Sequence, residues 1–231
     1  MKIKTLLSML VVLAMMIAFM PRHAAAEDET RKVGDAAAVL REIMAVPEKG
    51  IPPALLSNAH GIAIIPGVIK LGFIIGGRYG TGVLLVRDKD GKWSSPSFIS
   101  LAGGGIGWQI GAQSTDIILV FKSRQSIEGI KRGKFTLGAD AAVAAGPVGR
   151  SMEAATDVKL KAEVYSYSRS RGLFAGISLE GAALQIDHEA NAAFYGKKEI
   201  SAGDILSGKV VSDAPAVKNL LKLLGEYATN K

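Results

Sequence analysis

Two histidines and a few carboxylates are the residues of this 231-residue sequence best suited to acid–base or metal chemistry. His188 stands in Asp187-His188-Glu189, and His60 immediately precedes Gly61. A metal centre needs further ligands at fixed spacing, and neither histidine has a second one nearby. His60 therefore reads as a cation at a helix C-terminus and His188 as a solvated helix start. The complete lack of Cys excludes disulfides, thiolate metal sites and a cysteine nucleophile. No GxSxG or HExxH pattern occurs. Asp116, Asp140, Asp157 and Asp187 lie among apolar or small residues, with Arg78, Arg150, Arg169 and Arg171 as the available cations. A buried carboxylate needs a partner, so internal ion pairs are expected in preference to a catalytic carboxylate pair. A hydrolytic group of Asp187, His188 and Asp204 is the enzymatic alternative. No catalytic residue, metal or cofactor is assigned.

Glycine supplies the next chemical possibility. Gly105-x-Gly107-x-x-x-Gly111 comes near a dinucleotide fingerprint, but Ile110 occupies the third glycine position. A β-rich run, Asp116–Phe121, follows where the fingerprint requires a helix to meet the phosphates. GxxxxGK[ST] is absent as well, so no nucleotide site is expected. In Gly103-Gly-Gly-Ile-Gly-Trp-Gln-Ile-Gly111, Ile106, Trp108 and Ile110 alternate with Gly105, Gly107, Gln109 and Gly111. One strand face is then bulky and the other bare, a device repeated at Gly80 and Gly82. Glycine inside a strand marks a bend or a close backbone approach. The small-residue stretch Ala141–Ala145 is expected to pack on the bare face. Trp93, Phe98 and Trp108 read as core aromatics in preference to the lining of an acyl cavity.

The elements that must position these residues begin after an N-terminal leader. Lys2 and Lys4 precede an apolar run from Leu6 to Met20, followed by Pro-Arg-His-Ala-Ala-Ala. A basic start, a run shorter than the roughly 20 residues of a spanning helix and an Ala-x-Ala ending make a signal peptide. Residues 1–26 are expected to be removed before Glu27, giving a periplasmic or secreted product. Loss of Lys2, Lys4 and Arg22 with no acid lowers the formal charge from +7 to +4. That bias suits anionic headgroups and is too small to argue nucleic acid.

Residues 27–231 suit one domain. Val33, Ala36, Ala37, Leu40, Ile43 and Met44 fall at helical spacing, with Glu27–Glu29 in the first turn and Pro47 as a stop. Pro53–Asn58 and Arg124–Lys131 read as short helices, the latter capped by Ser123. Asp213 and Pro215 open a last helix with Val217, Leu220, Leu221, Leu224 and Tyr227 on one stripe. Between these lie short β-rich runs: Ile62–Ile65, Ile69–Ile75, Thr81–Arg87, Phe98–Leu101, Ile106–Ala112 and Thr115–Lys122. Further strands are read at 158–164, Leu173–Leu179 and Ala182–Ile186, and Asp88–Gly91 is a turn. The pattern predicts an α+β fold, a mainly antiparallel, strongly curved or barrel-like sheet between N- and C-terminal helices.

Five stretches resemble the SYLF domain family: Ala59–Pro66, Lys92–Ile99, Gly107–Asp116, Leu137–Arg150 and Tyr165–Gly176. They occur in the family's order and span about residues 30–225. The resemblance implies lipid binding, with phosphoinositides the ligands of eukaryotic members and a basic amphipathic N-terminal helix as the contact. The corresponding residues here are Arg31, Lys32 and Arg41, beside Val33, Leu40, Ile43 and Met44. Lys131, Arg132 and Lys134 form the densest basic cluster, and Lys70, Arg78 and Arg124 are further candidates for headgroups. The expected partner is a phospholipid or anionic membrane surface, bound without catalysis. Some fungal members bind actin, which an exported protein is not expected to meet. A structural envelope protein using its Gly/Ala surface for protein contacts is the alternative.

Overall fold

Apolar residues that run uninterrupted, as in Ile62–Ile65 and Ile117–Phe121, have no face to offer water and need cover on both sides. The computed structural model provides that cover. It describes residues 25–45, 50–72, 75–106, 113–147, 162–170, 173–175 and 179–228. Helix α1 spans residues 25–44, followed by α2 (Pro53–Ser57), β1 (Gly61–Gly72), β2 (Ile75–Val86), β3 (Ser97–Ile106) and β4 (Gln113–Phe121). Then come α3 (Arg124–Lys131), β5 (Lys134–Thr136), β6 (Val143–Ala145), β7 (Val164–Ser170), β8 (Leu173–Ala175) and β9 (Ala183–Ile186). Helices α4 (His188–Tyr195), α5 (Ala202–Leu206) and α6 (Pro215–Ala228) complete the chain. The fold is α+β, as the periodicities predict.

The nine strands form one sheet in the order β5-β9-β3-β2-β1-β4-β7-β6, with β8 on β7. All pairings are antiparallel except β6 with β7. One apolar cluster draws residues from both ends of this order: Phe135 of β5 and Leu184 of β9 meet Leu119 of β4 and Val164 of β7. A sheet whose two edges line the same core is strongly curved. A parallel bridge between Leu137 and Ala141 links the segment after β5 to the segment before β6, bringing the edges together. Ala63, Ile65, Leu84, Ile99 and Leu101 fill this interior, and Ile127 and Ile130 of α3 plug it. The alternate residues Ile62, Ile64, Val83, Leu85, Ile118 and Val120 face outward beneath α1, α2, α4 and α6. Each central strand is therefore buried on both faces.

Local chemistry sets the element ends. Ser123 Oγ accepts from Gln125 N at 3.1 Å, the predicted cap of α3. Asp187 and Ser201 cap α4 and α5 in the same way, and Gly196 ends α4 in the left-handed region at φ 65°. Helix α1 already includes Ala25, so Glu27, Asp28 and Glu29 lie within its first described turns. The runs Ile62–Ile65 and Ile69–Ile75 belong largely to one strand, β1, interrupted by a register shift around Pro66-Gly67. Gly67 takes φ 59° there, and its N–H donates to Asp116 Oδ1 at 2.9 Å.

The glycines of β2 allow the bulged β1 backbone to close on their strand. A Cβ on Gly82 would stand 2.2 Å from Ile64 O and 2.7 Å from Ile65 Cα, as the close-approach reading of this position expects. The expected bare face, Gly105–Gly111, lies largely outside the described residues. Ala141–Ala145 runs into β6 beside β7. In the described part of β3, a Cβ on Gly103 would meet Ala182, in the turn before β9, at 2.9–3.0 Å. Residues 158–161 of the predicted strand also lie outside the described residues.

Candidate functional site

The expected lipid contacts divide between the two layers. Helix α1 buries Val33, Ala36, Ala37, Leu40 and Ile43 in the outer core, so its apolar stripe is occupied by the sheet. Arg31 and Arg41 remain exposed on its outer side. Arg31 pairs with Asp28, and Lys32 Nζ lies 2.9 Å from Glu29 Oε1. Arg132 and Lys134 are exposed at the corner between α3 and β5, and Lys131 Nζ lies 2.8 Å from Glu128 Oε1. Helix α1 packs on the outer core and α3 on the inner one.

Glu29 is buried on α1, and its Oε2 has no hydrogen-bond partner among the described residues. Burial raises its pKa above 4.5; Lys32 opposes the shift, and Asp187 and Asp28 add to it. The folded state therefore holds this proton more tightly than the unfolded chain does. The resulting loss of stability sets in as pH rises through the carboxylate range and is complete above the raised pKa. Glu29→Gln is expected to melt above the wild type at neutral pH, with the gap closing below about pH 4. Melting curves of both proteins across that range check the sign.

Of the acids expected in internal ion pairs, Asp116 is in one, whereas Asp140 and Asp187 accept backbone N–H groups instead. Arg169 of β7 holds Asp116 of β4 at 2.9 Å and also pairs with Glu42 of α1, tying the helix to the sheet. Asp140 Oδ2 accepts from Thr136 N at 2.6 Å in the turn after β5. Asp187 accepts from Ala190 N as a helix cap, and Asp204 is taken up by Ser201 and Lys209. His188 is exposed at the first position of α4. The proposed hydrolytic group is thus divided between the cap of α4, the helix start beside it and the first turn of α5. Among the described residues no cluster of three or more His, Asp or Glu is placed to hold a metal. Asp157, Arg150 and Arg171 lie outside the described residues.

The serines of the Lys92–Ile99 stretch act in docking. Asn191 of α4 is fully buried, and its Oδ1 accepts from Phe98 N at 2.9 Å. Tyr195 donates to Pro96 O at 2.7 Å, and Ser95 Oγ accepts from Ser212 N at 3.0 Å. Phe98 packs on Phe194 with ring centroids 5.1 Å apart, and Arg87 lies over Trp93 at 5.8 Å. These two aromatics are structural, and Trp108 lies outside the described residues. A groove of about 680 Å³ between the first turn of α1 and α4 involves neither Trp93 nor Phe98.

At the far end of the strands is a feature that sequence reading missed. Here β1 runs out at Gly72, β2 begins at Ile75, β3 ends at Ile106 and β4 begins at Gln113. Across β4, β1, β2 and β3, one row of partners reads Ser114, Ile69, Tyr79 and Ala102; the next reads Gln113, Lys70, Arg78 and Gly103. Tyr79 shares the outer face with Val83, but it is not buried as Val83 is. Ile69 is 48% and Tyr79 57% exposed. No signal short of the tertiary fold marks them, since Ile69–Ile75 reads as a buried strand. Burial lowers the Arg78 pKa from its usual value.

A family model described as Las17-binding protein actin regulator, Ysc84, matches residues 102–227, more than half of the chain. The chain belongs to the Ysc84 family. This is the family of the SYLF domain that the five stretches resemble. Relatives include Protein YSC84 of Saccharomyces cerevisiae, 44% identical over 183 residues, which cover 78% of this chain and 38% of the relative. The SH3 domain-containing YSC84-like protein 1 of Xenopus laevis is 39% identical over 207 residues, 87% of this chain and 60% of the relative. Its human counterpart is 40% identical over 198 residues, 83% and 57% respectively. The chain thus spans between 38% and 60% of the length of these Ysc84 relatives. Among the described residues, no helix is long and apolar enough to cross a membrane.

Proposed function

We propose that this chain is an exported, non-enzymatic protein that binds the surface of an anionic phospholipid membrane. The observation that supports this most directly is the fate of the charged side chains. Asp116 and Asp204 are engaged in ion pairs and Asp187 in a helix cap, whereas Arg41, Arg132 and Lys134 stay on the surface. A cation near an anionic bilayer contributes about 1 kcal/mol, so a few suffice for peripheral, salt-sensitive attachment. Phosphoinositide headgroups, with several phosphates each, are the ligand class proposed within that reading.

The test begins with cells that express the full sequence. The processed chain is expected to start at Glu27 and to appear outside the cytoplasm. It should co-sediment with phosphatidylglycerol vesicles, more strongly with phosphoinositide vesicles and little with phosphatidylcholine, and release as salt rises. Failure to bind any vesicle at low ionic strength would overturn the reading. A protein partner is the second reading, favoured by a relative named LAS seventeen-binding protein 3 in Saccharomyces cerevisiae, 43% identical over 183 residues.

A further inference from the structure

We infer that removal of the leader and folding of the domain exclude each other: the Ala26–Glu27 bond is cut before α1 docks, and a chain that folds first keeps its leader. This inference rests on the export reading and goes beyond it, because it fixes the order of two events. Water supplies the hydroxyl that ends on the Ala26 carbonyl carbon and a proton for the Glu27 nitrogen as the C–N bond breaks. The acid and the amine then ionise to carboxylate and ammonium. A peptidase that does this takes the chain around the bond as an extended strand and aims hydrogen-bond donors at the scissile carbonyl.

The folded chain offers neither the strand nor the carbonyl. Ala25, Ala26, Glu27 and Asp28 are helical, the first residues of a helix that runs to residue 44. A helix rises about 1.5 Å per residue and a strand about 3.3 Å, so these residues span less than half of an extended binding cleft. The Ala26 oxygen is already engaged: Thr30 Oγ1 donates to it at 2.9 Å, and helical geometry directs the Thr30 N–H at the same oxygen. Side chains just past the bond hold the turn in place. Glu29 is buried with its Oε1 2.9 Å from Lys32 Nζ, and Asp28 pairs with Arg31. Val33, one turn on, is fully buried in the outer core. Ala26 itself lines the groove against Ala192, Ala193 and Phe194 of α4. Reaching the bond therefore means unwinding the start of α1 and withdrawing Glu29.

The partners that hold α1 are made late. Its stripe shares the outer core with Ala190 of α4 and with Val217, Leu220 and Leu224 of α6, which follow all nine strands in the chain. Before they are present, α1 lacks much of the packing that stabilises a helix in a protein, and its first residues can be drawn out as a strand. Once α1 is docked, cutting proceeds only through the small population in which that turn has opened.

The test incubates the full chain in mild detergent with a leader peptidase of Ala-x-Ala specificity. The chain is either diluted from urea straight into the enzyme or folded beforehand, and initial rates are compared. The urea-diluted chain is expected to be cut between Ala26 and Glu27, and the folded chain at least about tenfold more slowly. A Thr30→Gly variant loses the hydroxyl bond and weakens the helical turn. Its folded form should be cut about fivefold faster than the folded wild type, whereas the two urea-diluted chains are cut alike. Equal rates for folded and urea-diluted wild type overturn the inference and leave the export reading standing, as do equal rates for the folded variant and the folded wild type. If neither form is cut at that bond, the export reading falls and this inference with it.

Discussion

Gly82→Ala is expected to cost at least about 3 kcal/mol, enough to empty much of the folded population of an ordinary domain. The added methyl would stand 2.2 Å from Ile64 O and 2.7 Å from Ile65 Cα. These are backbone atoms of the paired strand, so no rotamer change relieves the overlap. Relief requires β1 to move outward, yet β1 is held by β4 on its other side and buried on both faces. Gly77→Ala is the matched control: it lies in the same strand, its added methyl would have nothing within 4 Å, and stability should change little. Urea unfolding of the two variants should separate them widely, with the Gly82 protein displaced to much lower denaturant or failing to accumulate. Equal midpoints would mean that β1 and β2 do not approach each other this closely.

Leu40→Ala is the second large effect, expected to destabilise by about 3 kcal/mol through lost burial and an unfilled cavity. Leu40 is fully buried in the outer core, on the helix whose sequence also fits a membrane-binding amphipath. An integral helix and a detachable one give opposite results. If α1 only rests on the sheet, truncating Leu40 should leave global unfolding almost unchanged while weakening vesicle binding. If α1 completes the core, the unfolding midpoint should fall by the full amount and vesicle binding by the native state should persist. The burial of Val33, Ala36, Ala37 and Ile43 on the same stripe supports the second outcome.

This ambiguity shows where the sequence was informative and where it was not. Ser123 before an apolar-periodic helix, Asp88 to Gly91 as a turn and Pro215 at a helix start carry their own local chemistry, and each stands where that chemistry predicts. Gly80 and Gly82 likewise announced a close approach in β2, because little else accounts for glycine inside an apolar strand. The stripe of α1 specifies an amphipathic helix but not its partner, since lipid and a sheet face satisfy the same pattern. Three-residue strands such as β5 and β6 carry too few positions for a period to emerge. Small residues fit many small faces, so composition alone could not put Val143–Ala145 beside β7, and only topology does. The exposure of Ile69 and Tyr79 was invisible for a related reason: it depends on tertiary surroundings that an apolar strand pattern does not encode.

The pairing order has a consequence for the chain as it is made. Strand β3 is covered on one side by β2, its near neighbour in sequence, but its other edge waits for Ala183–Ile186. The short β5 likewise has no partner until that segment arrives. A nascent chain that has emerged only as far as β7 would therefore present an unpaired ladder of β3 amides and carbonyls to any similar chain nearby, a recognised route to aggregation. A polypeptide built this way benefits from being kept unfolded until its last third has been synthesised.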